Sequence, residues 1–328
     1  MGRVIRTRFL CLAALSLLAC TPRHRPGTAT AAPPPAASTA ATEAKPPTAP
    51  VATVTATPPP PAERPLLPAL VGAEARRAEV RAVLAELVAA LTGSDHDRVK
   101  NIPMVFDPDE TEINAFAGCE NGAPYMATTE GFMIAVEAVA NTRATDEIYK
   151  TQTYDAYANA LPAQLAKKGA APTLPAGTIP SQYESDPKRQ SRAREIYDDL
   201  VAFAFGHELA HHYLGHTGCA NGQPPSPGPS PAMVGHLVTK VIPVLNQPVE
   251  IAADTAGCRN VLATGRARRP KFEWTEQGGL LLFDFFAKLE SNAPLISKVA
   301  FLRSHPESRL RIPFVQAAAK QWREGNPG

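Results

Sequence analysis

The stretch "HELAHHYLGH" at residues 207–216 sets four histidines and a glutamate within ten positions. On a helix, His207 and His211 stand one turn apart and project from one face, so both imidazoles can meet a single metal ion. Glu208 lies beside them and can act as general base on a metal-bound water, which is the chemistry of hydrolysis. His212 points about 100° away from His211 and falls off that face. His216, near the end of the run, suits the negative pole of the helix dipole.

Two histidines leave such a site one protein ligand short, since catalytic zinc is held by three. One known arrangement, HExxHxxGxxH, needs Gly at 214 and His at 217. This chain has Leu214 and Thr217 and is excluded from it. A second arrangement, that of the gluzincins, takes its third ligand from another helix, as Glu followed four residues later by Asp. "EIAAD" at 250–254 supplies it. If the two helices run antiparallel, Glu250 falls level with His211 and binds the metal. Asp254 falls level with His207, accepts its second ring N–H and fixes the tautomer that presents the other nitrogen. Ala253 and Gly257 leave room for close helix approach. The expected cofactor is Zn2+, one per chain.

The elements that must hold these residues follow from patterning. Residues 67–92 alternate Leu, Val and Ala with Glu and Arg at helical spacing. Strands are expected at 102–107 and 112–117, joined by a Pro-Asp turn, and at 123–129, after which Thr128 or Thr129 caps a helix from Glu130. Residues 143–190 are polar and interrupted by proline, an insertion of loops and short helix. A helix from Ala193 carries the apolar stripe Ile196, Tyr197, Leu200, Val201, Ala204 and Leu209 into the histidine motif and ends near Gly215 or Gly218. A Pro-rich loop covers 222–231, and helices are expected around 248–263, 276–289 and 306–324. The class is α+β, dominated by helix, with one small sheet.

The 328-residue chain is close to neutral, at +2, and has no basic block dense enough for nucleic acid. Residues 1–19 read as a signal peptide, with Arg3, Arg6 and Arg8 before an apolar run too short to span a bilayer. "LLAC" ends it as a bacterial lipoprotein signal does, with cleavage before Cys20 and acylation of its thiol. Residues 20–65 form a tether. Thirteen prolines fall between 21 and 65, with little there that could form a core. As a coil it reaches roughly 40 Å, and as extended polyproline roughly 140 Å. The folded domain is then 66–328, in the bacterial envelope, anchored by lipid to the outer membrane and facing the periplasm.

Three of the five cysteines remain for the folded domain, which fits one disulfide and one free thiol. In the antiparallel arrangement Cys219 and Cys258 lie about 24 Å apart, too far to bond. That favours a bridge through Cys119, with the pairing among Cys119, Cys219 and Cys258 left open.

Four stretches together resemble the gluzincin peptidase family of HtpX and the CAAX prenyl proteases, in particular its soluble envelope members. They are "NAFA…PYMATTEGFM" (114–133), "HELAHHYLGH", "EIAAD" and "SHPESRLRI" (304–312), in the family's order. Ser304 departs from the family's usual Thr, and the insertions at 143–190 and 220–232 are further departures. The resemblance implies a zinc metalloendopeptidase whose polypeptide substrate adds as a strand beside the edge residues Asn114, Ala115, Phe116 and Ala117. It also places the loop of His305 and Arg311 over the metal. There they donate to the tetrahedral oxyanion, or His305 occupies the open metal position at rest. From the residues alone, Arg311 has the alternative of pairing with Glu307 on its own helix. The competing expectation for the whole chain is an envelope chaperone or assembly factor that keeps the zinc fold with little turnover.

Overall fold

The computed structural model describes residues 64–326 apart from 223, 225, 227, 231–246, 270, 292–298 and 306. The expected signal, Cys20 and almost all of the tether lie outside the described residues. A compact unit spans Pro61–Gly328. Its elements are α1 (Gly72–Ala90), α2 (Gly93–Val99), β1 (Met104–Asp107), β2 (Ala115–Glu120), β3 (Ala123–Thr129), α3 (Glu130–Tyr149) and α4 (Thr153–Leu165). They continue as α5 (Ser181–Glu184), α6 (Pro187–Tyr213), α7 (Gln247–Ala267), α8 (Gln277–Glu290), α9 (Ala300–Ser304) and α10 (Ser308–Gly325). The fold is α+β and helix-dominated, with one three-stranded sheet among the described residues. No described helix is long and apolar enough to cross a membrane.

The sheet has the order β1-β3-β2, with β1 parallel and β2 antiparallel to the central β3. The strand expected at 112–117 begins three residues later and pairs with β3, not with 102–107. The cause is Asn121-Gly122, whose φ of 51° and 80° make a two-residue hairpin turn that sets the register. Residues 112–114 are taken instead by Thr129. Its N–H donates to the Asn114 carbonyl at 2.9 Å, and its hydroxyl accepts from Asn114 N at 3.1 Å. The same hydroxyl accepts from Phe132 N at 3.1 Å, so Thr129 is the cap of α3.

The expected loop-rich insertion at 143–190 is largely helical. α3 runs on to Tyr149, and the Asp146 carboxylate then accepts from Thr153 N and Tyr154 N, at 2.7 and 3.0 Å, at the start of α4. α6 begins at Pro187, six residues before Ala193. Asp186 is its cap, accepting from Lys188 N and Arg189 N, and a proline at the first helical position is preorganised for this.

α6 is the centre of the molecule. From Leu200 to Tyr213 every residue is buried, and α3, α7 and α8 pack along it, with α10 against α7 and α8. Phe132, Phe203, Phe205, Phe283, Phe285 and Phe286 fill the space between these helices. A helix buried on every face must find a partner for each polar residue it carries. In its last two turns α6 carries His207, Glu208, His211 and His212.

Candidate metal centre

α6 and α7 meet backbone to backbone beside His207. A Cβ added to Gly257 would lie 2.7 Å from His207 N and 2.8 Å from the Gly206 carbonyl carbon, so any larger residue would force the helices apart. This approach brings the acids of α7 onto the histidines of α6.

His207 Nε2 and His211 Nε2 face each other at 2.9 Å. Each ring is held from behind through Nδ1, His207 by Asp254 Oδ1 at 2.9 Å and His211 by His216 Nδ1 at 3.0 Å. Glu250 sits between the two Nε2 atoms, Oε1 3.3 Å from His211 and Oε2 3.5 Å from His207. A fourth ring closes the group. His305 Nε2 is 3.9 Å from Glu250 Oε2, while its Nδ1 faces the Phe301 carbonyl at 3.2 Å. A carbonyl can only accept, so Nδ1 carries a proton and Nε2 is the ring's ligand atom. The imidazole is stacked on Phe301, at 4.3 Å and 19°, and Phe301 on Phe286.

Ligand atoms of His207, His211, Glu250 and His305 thus lie within 4.8 Å of one another, all four residues are buried, and the group can hold a metal ion. Two observations fit it to one. Both oxygens of the buried Glu250 accept no hydrogen bond, although Arg311 Nη1 lies 3.1 Å from Oε2. The facing Nε2 atoms have their other nitrogens committed elsewhere, which leaves their lone pairs for a shared cation. A set of imidazole nitrogens with a carboxylate oxygen suits a borderline ion.

The electrostatics are those of a site that concentrates charge. Burial opposes ionisation of Glu250, but His305, His207 and His211 outweigh it and hold its carboxyl well below the usual range. Glu208 is lowered in the same way, burial being outweighed by His305, His207 and His211. Burial also opposes the charge of His207, yet Asp254 and Glu250 raise it to about 9. His211 is pushed down to about 4 by burial and the neighbouring His207. Metal binding needs the unprotonated rings, so it competes with protons at these histidines.

Glu208 is held by the sheet and lies against His305. Its Oε2 accepts the Ala117 N–H at 2.7 Å and its Oε1 lies 3.2 Å from His305 Nε2. Ala117 belongs to the sheet edge. It stands opposite Met126, whose own N–H turns to Pro103 at 2.9 Å on the β1 side, so the Ala117 main chain faces outward. Ala115, two residues earlier, faces the same way. Of the four expected edge residues, Asn114 and Phe116 point their main chain into the sheet, and Ala115 and Ala117 point it out.

Arg311 is brought to the cluster but does not stand over the ligands alone. Its Nε and Nη2 donate to Asp254 at 2.7 and 2.6 Å, and it lies over the Phe283 ring at 4.7 Å. Two histidines that sequence reasoning set aside also have defined partners. His216 backs His211, and His212, fully buried, places Nε2 3.0 Å from the Tyr125 carbonyl and Nδ1 3.1 Å from the Thr217 hydroxyl. His216 is four residues beyond His212 in the same motif, but it reaches His211 only because the helix ends at Tyr213 and the chain turns back. Comparison of the chain with protein-family models, curated proteins and solved structures gives no match.

Proposed function

We propose that the chain is a zinc metalloendopeptidase of the gluzincin kind, with His207, His211 and Glu250 as the metal ligands. The observation that carries this is the hydrogen bond from Ala117 N to Glu208 Oε2. It puts a carboxylate, a cluster able to hold a metal ion and an outward-facing strand edge within one hydrogen bond of each other. A structural metal site needs neither the carboxylate nor the edge.

Bound zinc would polarise a peptide carbonyl and acidify a water. Glu208 takes that water's proton and passes it to the leaving amine. Ala115 is fully buried and the Ala117 N–H is given to Glu208, which leaves the Ala117 carbonyl and the exposed Cys119 main chain for an extended polypeptide, a backbone pairing that makes selection tolerant of side chains. Asp254 fixes the His207 tautomer and Arg311 holds Asp254 ionised. Arg311 Nη1, 3.1 Å from Glu250 Oε2, is the guanidinium atom on the ligand side and the one that would donate to a developing oxyanion. His305 would be a fourth ligand of the resting site.

The disulfide between Cys119 and Cys219 supports an oxidising compartment. With the sequence of the first twenty residues, it favours an outer-membrane lipoprotein facing the periplasm. Cys20→Ser should leave the membrane fraction.

The deciding experiment is metal analysis with casein cleavage for the wild type and Glu208→Gln. About one zinc per chain is expected in both, with cleavage in the wild type and a loss of at least about a hundredfold in the variant. Equal cleavage by Glu208→Gln would remove the enzyme reading in favour of a zinc-bound chaperone or binding protein.

A further inference from the structure

The β2–β3 hairpin is fastened to the end of α6 at three points. Ala117 N donates to Glu208, the Tyr125 carbonyl meets His212, and Cys119 is bonded to Cys219 with Cα atoms 6.1 Å apart. The last two act on the same place, because Tyr125 is the register partner of Gly118, next to Cys119. The His212 contact is specific in direction. A carbonyl only accepts, so Nε2–H donates to Tyr125 and Nδ1 accepts from the Thr217 hydroxyl. Thr217 lies two residues before Cys219, so the hydrogen-bonded tie and the covalent tie share one short turn after α6.

Other contacts fix the opposite end of the hairpin. There Thr129 binds residues 112–114 and caps α3, and β1 pairs with Met126–Thr129. The turn end, Asn121–Ala123, is exposed, and nothing in those contacts reaches it. Without the ties at 117, 119 and 125, the edge between Ala115 and Cys119 would be held at one end only.

We propose that His212 and the Cys119–Cys219 disulfide form a clamp that holds the β2 edge beside the metal ligands, where an extended peptide can pair with the Ala117 carbonyl and the exposed Cys119 main chain. His212 is a positioning residue in this, acting through the strand and not on the reacting atoms. The inference rests on the peptidase reading for its kinetic consequence, but the clamp itself has a readout independent of activity. Its failure should appear as lost peptide binding with the metal site intact, because the ties to His207, His211 and Glu250 come from α7 and from His216.

The test compares His212→Ala, His212→Gln and the double variant Cys119→Ala/Cys219→Ala with the full-length wild type. Zinc content, kcat and KM on an extended peptide, and amide hydrogen exchange over residues 113–120 and over α3 are measured. For His212→Ala and the double variant, KM should rise about tenfold, with kcat within about threefold and zinc retained, the pattern of lost ground-state binding. Exchange should quicken over 113–120 and stay unchanged in α3. His212→Gln, which keeps an N–H at the same reach, should recover most of the KM. If the double variant does not fold, brief dithiol reduction of the folded protein should produce the same exchange pattern. Unchanged KM and unchanged exchange at 113–120 would overturn the clamp, and so would loss of zinc or kcat at constant KM. A wild type that binds zinc and cleaves nothing overturns the peptidase reading instead, and the exchange data then decide the clamp alone.

Discussion

Arg311 closes on both oxygens of Asp254 in a two-pronged pair, and Asp254 in turn holds His207 Nδ1 at 2.9 Å. All three are buried, so a guanidinium on the last helix steadies a metal ligand on α6 through a carboxylate on α7. Burial disfavours the Asp254 charge, but Arg311 and His207 outweigh it and hold the carboxyl below its ordinary range.

Removing one member of such a pair strands the other. Arg311→Met should cost about 3–5 kcal/mol in urea unfolding, because Asp254 is left as an uncompensated buried charge. Asp254→Ala/Arg311→Met should cost less than the sum of the single variants. Additive losses would show that the two side chains do not act as a unit. Asp254→Ala alone should weaken zinc affinity by roughly 10- to 100-fold, since His207 loses its orienting partner.

The four candidate ligands should separate by substitution. His207→Ala, His211→Ala and Glu250→Gln should each lose the metal and the activity together. His305→Ala should weaken zinc binding by about tenfold while kcat does not fall, because its Nε2 is read as a resting ligand. A His305→Ala protein with wild-type metal affinity and kcat lowered about a hundredfold would assign it instead to the oxyanion.

The local parts of the candidate site were legible because helical spacing carries them. His207 to His211 and Glu250 to Asp254 are each one turn, and a chain can state that. The strand shift at 112–117 was also readable, since Asn121-Gly122 is a strong hairpin signal, and so was the start of α6 at Asp186-Pro187. Both signals are only two residues long and lie beside longer apolar patterns that suggest other boundaries. The role of His212 was of a different kind. The helical wheel places it off the ligand face, as it is, but does not say that the sheet lies on the other side. The partner of Cys119 depended in the same way on a chain reversal after Tyr213 that no periodicity encodes.

The disulfide should matter for stability as well as for position. It closes a separation of 100 residues, and confining the unfolded chain to that extent is worth about 5 kcal/mol in the loop-entropy model. Reduced protein should therefore unfold at clearly lower urea than oxidised protein, with a slope at least as steep because its unfolded chain is less confined. Coincident urea midpoints would show that the bond adds no net stability.

Asp199 should make a contribution to stability that falls as pH rises through the weakly acidic range, opposite in sign to that of the buried neutral His211 and His212. This buried carboxyl sits at the start of α8, where it accepts from Thr275 N at 2.8 Å and Gly278 N at 3.1 Å. Those bonds favour its charge, but burial is the larger effect and pushes it up to about 7. In the unfolded chain an aspartic acid ionises near its ordinary value of about 4. Below that value both states hold the proton, and the group contributes no pH dependence. Between about 4 and 7 the folded state binds a proton that the unfolded state has released, so each rise in pH favours unfolding. The contribution lost by pH 7 is about 4 kcal/mol, and above that the dependence levels off because both states are ionised. Asp199→Asn cannot ionise. Its stability relative to the wild type should therefore improve by about that amount between pH 4 and pH 7, measured by urea unfolding at each pH. A difference that stays flat over this range would mean that the two backbone donors keep Asp199 charged in spite of its burial.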